Sequence, residues 1–184
     1  MSVTDRPGSS NAPEHNRKLA FQPSLKGRAL RLLSQREHTR RELERKLARF
    51  EEAPGTLAQA LDELQARGFL DERRAAESLA HRRASAYGAA RLRQEMQDKG
   101  LDRELINQTL AGLQDSEEAR ARQVWQRRFE AAPVDAKDRA RQGRFLLARG
   151  FSGDVVRRVL NTQRLDPDHH GHGSEDSDAH NSQS

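Results

Sequence analysis

Two four-residue joins, Lys99-Gly100-Leu101-Asp102 and Arg149-Gly150-Phe151-Ser152, lie 50 positions apart and carry the same instructions. In each, a basic residue and a glycine close a helix, because glycine enters the left-handed backbone region without a Cβ penalty. An apolar residue follows, then Asp or Ser, whose side-chain oxygen satisfies free N–H groups at the start of a new helix. A repeated join of this kind constrains the fold more than any other feature, since the helices around it must repeat as well.

The punctuation elsewhere agrees. Leu25, Ala29, Leu32 and Leu33 recur at helical spacing. Thr39 with Glu42 reads as a capping box opening a helix lined by Leu43 and Leu47. After Pro54-Gly55, Thr56 with Gln59 reads as another box, ahead of Leu57, Ala60, Leu61 and Leu64, and Gly68 stops that helix. Asp71 opens a second triple, with Ala75, Ala76 and Leu79; Leu92 and Met96 face inward before Gly100; Asp102 opens a helix with Leu105, Ile106 and Leu110. The last triple carries Val124 and Trp125, a cap at Asp135 ahead of Phe145 and Leu146, and Val155, Val156, Val159 and Leu160. The first triple has Arg49-Phe50 where the glycine join is expected.

The expected fold is all-α: three tandem three-helix repeats over 25–70, 71–114 and 115–164. Tails 1–24 and 165–184, polar and without periodicity, are expected to be disordered. Only 12 residues are Val, Ile or Thr, too few for a sheet protein. A three-helix unit buries little core alone. Stacked units are therefore expected to cover one another's apolar faces and form an elongated, curved body. A single globular nine-helix domain is the alternative.

Several chemistries are excluded or lack a signal. There is no cysteine, hence no disulfide and no thiolate site. No phosphate-binding glycine loop, H-E-x-x-H or G-x-S-x-G motif occurs. The expectation is a protein that is not an enzyme and needs no cofactor or metal. His38 reads as a solvated turn residue and His81 as a surface one. His169, His170 and His172 beside Asp166 and Asp168 read as adventitious metal ligands at most. With no apolar run of membrane length and no secretory signal, a cytoplasmic monomer is expected.

Charge is distributed unevenly. Residues 25–164 hold 30 basic and 21 acidic groups, whereas 165–184 hold five acidic groups and no Lys or Arg. A basic body points to a polyanion or an acidic protein surface, and an acidic tail to folding back on that body. The candidate contacts are Arg40, Arg41, Arg45, Arg82, Arg83, Arg91, Arg93, Lys99, Arg141, Arg144 and Arg149, with the middle helix of each unit carrying most of them. Aligned repeats would place them in one stripe. The competing reading pairs them locally with Glu42, Glu44, Glu95 and Asp138. Aromatics are 4% of the chain, and Phe69, Phe129, Phe145, Phe151 and Trp125 all read as core. Any contact to single- or double-stranded DNA should therefore go through phosphates. Residues 91–113 also read as a helix-turn-helix, but its second helix offers only Arg103, Asn107 and Gln108 outward.

The runs Gly68-Phe69-Leu70-Asp71-Glu72, Tyr87-Gly88-Ala89-Ala90-Arg91-Leu92-Arg93-Gln94-Glu95-Met96 and Gln142-Gly143-Arg144-Phe145-Leu146-Leu147-Ala148-Arg149-Gly150-Phe151 resemble the RecX family of recombinase regulators. So does Arg40-Arg41-Glu42-Leu43-Glu44-Arg45-Lys46-Leu47, and the likeness spans about residues 25–162. The resemblance implies three tandem three-helix repeats. It also implies a non-enzymatic protein that sits in the groove of a RecA-type recombinase–DNA filament and inhibits strand exchange and ATP hydrolysis. The chain departs from the family pattern at Ala75, where the family usually has Phe, and in its acidic tail.

Overall fold

A computed structural model describes residues 23–162. The expected disordered tails lie outside these residues, apart from Pro23 and Ser24, and so do the tail histidines. Among the described residues there are nine α-helices and no strand. The first unit holds α1 (Leu25–Leu33), α2 (Arg40–Leu47), extended by a 3-10 turn at Ala48–Phe50, and α3 (Thr56–Ala66). The second holds α4 (Glu72–Arg83), α5 (Ala89–Asp98) and α6 (Arg103–Ala111). The third holds α7 (Glu117–Gln126), α8 (Ala136–Ala148) and α9 (Gly153–Thr162).

Side-chain chemistry sets the helix starts. Thr39 and Glu42 form the reciprocal box, each side chain accepting from the other's backbone N–H at 3.2 Å. Asp71 accepts from the Arg74 N–H at 3.0 Å, Asp102 from Glu104 at 2.8 Å and Asp135 from Asp138 at 2.6 Å. The joins close as expected: Gly100 and Gly150 have φ of 79° and 83°. The N–H of the next residue reaches back to a carbonyl five positions earlier, Leu101 to Met96 at 3.1 Å and Phe151 to Leu146 at 3.3 Å.

Each unit has its own core. Leu43, Leu47, Leu57, Leu61 and Leu64 fill the first, Leu79, Leu92, Met96, Ile106 and Leu110 the second, and Trp125, Leu146, Val156, Val159 and Leu160 the third. Ala75, the departure from the family pattern, is buried. The third core carries a polar link: Trp125 Nε1 donates to Gln142 Oε1 at 2.7 Å, and Gln142 Nε2 donates to Asp138 at 3.1 Å. Gln142 is 1% exposed, so these bonds satisfy a side chain cut off from water.

Four expectations need correction. The cores do not merge: the units meet through hydrogen bonds at helix ends, described below, because each apolar stripe is already covered by its two partner helices. Thr56 does not cap α3. Gly55 holds that position, the Thr56 hydroxyl donates to the Ala53 carbonyl at 2.7 Å, and Glu51 receives the Leu57 N–H at 3.0 Å. Phe69 is half exposed, because Leu70 occupies the buried slot after the turn at Gly68. His38 is not solvated but 2% exposed, drawn in beside the buried Glu42 carboxylate, with Nδ1 3.8 Å from Glu42 Oε2.

Candidate interface along the middle helices

Successive middle helices meet end to start. At the junction of the second and third units, the turn closing α8 bonds the first turn of α5. The Gly88 N–H donates to the Arg149 carbonyl at 2.9 Å, and the Ala90 N–H to the Gly150 carbonyl at 3.1 Å. The Ala89 N–H donates to Glu117 Oε1 at 3.1 Å, from the first turn of α7. These are the N–H groups that a helix start leaves without internal partners. Carbonyls carrying the partial negative charge of one helix end thus face N–H groups carrying the partial positive charge of another.

The junction of the first and second units has the same plan with different atoms. The Thr39 hydroxyl donates to the Lys99 carbonyl at 2.8 Å, and the Arg40 N–H donates to Glu72 Oε1 at 2.8 Å. Glu72 opens α4 as Glu117 opens α7. Lys99 Nζ then reaches Glu42 Oε1 at 2.5 Å, and Arg36 donates to the same carboxylate at 3.0 Å. Burial pushes the Glu42 carboxyl up, but the hydrogen bonds from Arg36, Lys99 and the Thr39 N–H outweigh it and hold it down at about 2. Burial, with Arg36 nearby, lowers His38 to about 4. The sequence offered no signal for the partnerships between the two units, which join residues 32 to 60 positions apart.

Each junction is also clamped by an arginine. Arg74 donates to Glu37 Oε1 at 2.9 Å and to the Gly68 carbonyl at 2.8 Å. Arg120 donates to the Ala84, Tyr87 and Leu113 carbonyls at 2.9, 3.2 and 3.0 Å. Burial lowers the Arg120 guanidinium from its ordinary value.

The eleven candidate cations fall into two groups. Lys99 is held by Glu42. Arg40 is held by Glu44 at 2.9 Å and Asp62 at 2.6 Å, and Arg93 by Asn107 at 2.6 Å. Arg83 meets Glu95 at 3.1 Å and lies over the Tyr87 ring, and Arg141 meets Asp138 at 2.6 Å. Arg82 bonds the Ser78 hydroxyl, and Arg149 lies 4.0 Å over the Phe145 ring. The local-pairing reading thus holds for Arg40 and Arg141 alone, since Arg83 and Lys99 reach their carboxylates over longer separations. Arg41, Arg45, Arg91 and Arg144 are exposed and make no ion pair among the described residues. Arg41 and Arg91 sit at the two junctions, packed on Gly100 and Gly150. Taking the core pairs Leu43/Leu47, Leu92/Met96 and Gln142/Leu146 as equivalent, Arg45 and Arg144 occupy the same register, where α5 has Gln94. In the helix-turn-helix segment, Asn107 is engaged by Arg93, and Gln108 donates to Glu104 at 3.1 Å, which leaves Arg103 alone outward.

None of the described helices is long and apolar enough to cross a membrane. Family models for the first, second and third RecX three-helix domains match residues 26–64, 71–110 and 115–160. A regulatory protein RecX of Leptothrix cholodnii is 51% identical over 148 residues, covering 80% of this chain and 94% of that protein. One from Ralstonia nicotianae is 50% identical over 137 residues, covering 74% and 86%. The crystal structure of RecX from Lactobacillus salivarius matches with a TM-score of 0.65 at 19% identity, over 77% of this chain and 95% of that one, which is a likeness of fold. With matched domains across all three units and half the residues shared with named relatives, the chain belongs to the RecX family of regulatory proteins.

Proposed function

We propose that this protein regulates a RecA-type recombinase by lying in the groove of the recombinase–DNA filament, where it inhibits strand exchange and ATP hydrolysis. It does so as a cytoplasmic monomer without catalysing a reaction. The observation that carries this reading is the pair of like-built junctions, which link separate three-helix units in a series. A linear series suits a polymeric target with its own repeat. Arg41, Arg45, Arg91 and Arg144 make the contacts to phosphates of single- or double-stranded DNA and to acidic groove walls. Arg82, Arg83, Arg141 and Arg149 lie in support, while Arg40, Arg93 and Lys99 hold the fold. Filling the groove denies it to a second duplex, and preference for one filament state draws the population toward that state.

The test is recombinase-driven strand exchange and ATP hydrolysis with wild type and the variant Arg41→Glu/Arg45→Glu/Arg91→Glu/Arg144→Glu. Wild type inhibits both, and the variant loses at least tenfold in potency. Wild-type binding to bare DNA with no inhibition would instead mark a stand-alone nucleic-acid-binding module.

A further inference from the structure

The outer end of the first unit holds a groove that neither junction uses. Arg31 of α1 and Lys46 and Arg49 of α2 and its 3-10 turn line it over a floor of Leu32, Leu47 and Phe50, and no carboxylate is among its lining residues. Arg31, Lys46 and Arg49 are exposed and make no ion pair among the described residues. The guanidinium groups of Arg28 and Arg49 lie 4.0 and 4.7 Å from the Phe50 ring centroid. The ring therefore supports cations and is not a platform for bases.

This is the position at which the other units end in Lys99-Gly100 and Arg149-Gly150 and dock onto a neighbour. Here Phe50-Glu51 stands in the register of Lys99-Gly100 and Arg149-Gly150, and none of the described units docks onto this end. Arg41, Arg45 and Arg49 recur every four residues, so they form one row about 12 Å long. The equivalent rows are Ala90-Gln94-Asp98 in the second unit and Ala140-Arg144-Ala148 in the third. Of the three rows, only that of the first unit is basic at all three positions.

We propose that this groove, with the α2 row leading into it, is a binding site for the phosphate backbone of a nucleic-acid strand, with the first unit as the DNA anchor. One strand of a B-form duplex advances about 3.4 Å along the axis per phosphate, so a row of about 12 Å spans three or four of them, and fewer of an extended single strand. Arginine forks engage them in bidentate fashion. A phosphate backbone supplies a line of charge by its covalent repeat, whereas a protein wall must assemble one from separate side chains. The site deepens the regulatory reading and rests on it only in taking the strand to be filament DNA.

The test is fluorescence anisotropy of a labelled oligothymidylate of 30 nucleotides, titrated with the full chain over a salt series, with no recombinase present. The variant Arg31→Gln/Lys46→Gln/Arg49→Gln is compared with Arg73→Gln/Arg127→Gln/Lys137→Gln, which removes equal charge elsewhere. Thermal unfolding checks that both remain folded. The first variant should bind at least tenfold more weakly, with the slope of log K against log salt reduced by about 2. The second should change affinity less than threefold. Equal losses in both, or none in either, would overturn the site. Unchanged DNA binding with lost recombinase inhibition would assign the groove to an acidic protein surface and also overturn it. Wild type that binds DNA in this pattern yet fails to inhibit the recombinase would leave the site standing and reject the regulatory reading.

Discussion

Lys99 Nζ stands 2.5 Å from Glu42 Oε1, joining the end of α5 to α2 across 57 positions. Glu42 is 4% exposed and receives Arg36 and the Thr39 N–H as well, so the carboxylate is the node that fastens the first unit to the second. Replacing Lys99 with Met keeps the aliphatic stem and removes the charge. It leaves a buried carboxylate short of one donor, at a cost of about 1–3 kcal/mol. Urea denaturation monitored by circular dichroism should show this loss, and an unchanged midpoint would show that the link contributes nothing net.

The same node makes stability depend on pH. A carboxyl held at about 2 in the folded chain, against an ordinary 4.5, stabilises the fold above pH 4.5 and loses that contribution as pH falls toward 2. His38, lowered from 6.5 to about 4, favours its neutral form in the folded chain; the unfolded chain takes up the proton first, and stability falls as pH drops from 6.5 to 4. Denaturation midpoints should be flat above pH 7, decline from pH 6.5 and decline faster below 4.5. His38→Phe should remove the portion between 6.5 and 4.

Gly88 tests the other junction. A Cβ there would collide with the Gly150 carbonyl and the Phe151 nitrogen, both backbone atoms that cannot swing aside. Gly88→Ala should part the third unit from the second, with the Ala90 amide losing hydrogen-exchange protection. Trp125 is the only tryptophan and lies in the third core. Its fluorescence transition should then separate from the circular-dichroism transition, whereas coincident transitions would mean that the junction tolerates the methyl.

Gln142→Leu should destabilise the third unit by about 1–3 kcal/mol, since the Trp125 indole N–H loses its acceptor in a dry core. Trp125→Phe in the same background should recover part of the loss, and a double-mutant cycle in urea measures the coupling.

Local chemistry made the helices readable. Thr39, Asp71, Asp102 and Asp135 announce helix starts through their own neighbours, and Gly100 and Gly150 announce ends. Partnerships at a distance were not readable. Nothing beside Glu72 or Glu117 in sequence tells that each bonds the first N–H of a helix in the preceding unit. His38 misleads for the same reason, since its burial comes from the charged cluster at the first junction and not from an apolar periodicity. Among the cations, the ion pairs of Arg40, Arg83 and Arg141 follow from spacing or a facing helix, but that of Lys99 spans two units.

Two end-to-start junctions hold the three units in a series, and the proposed function takes that series to fit a recombinase filament. Retention on a DNA-bound recombinase filament, compared for wild type and Gly88→Ala, tests it directly, because the substitution breaks a junction and alters no charge. Wild type should be held on the filament more firmly than on the same DNA alone, and Gly88→Ala should lose most of that difference. Equal retention of the two proteins, or equal retention of wild type on filament and bare DNA, would contradict it.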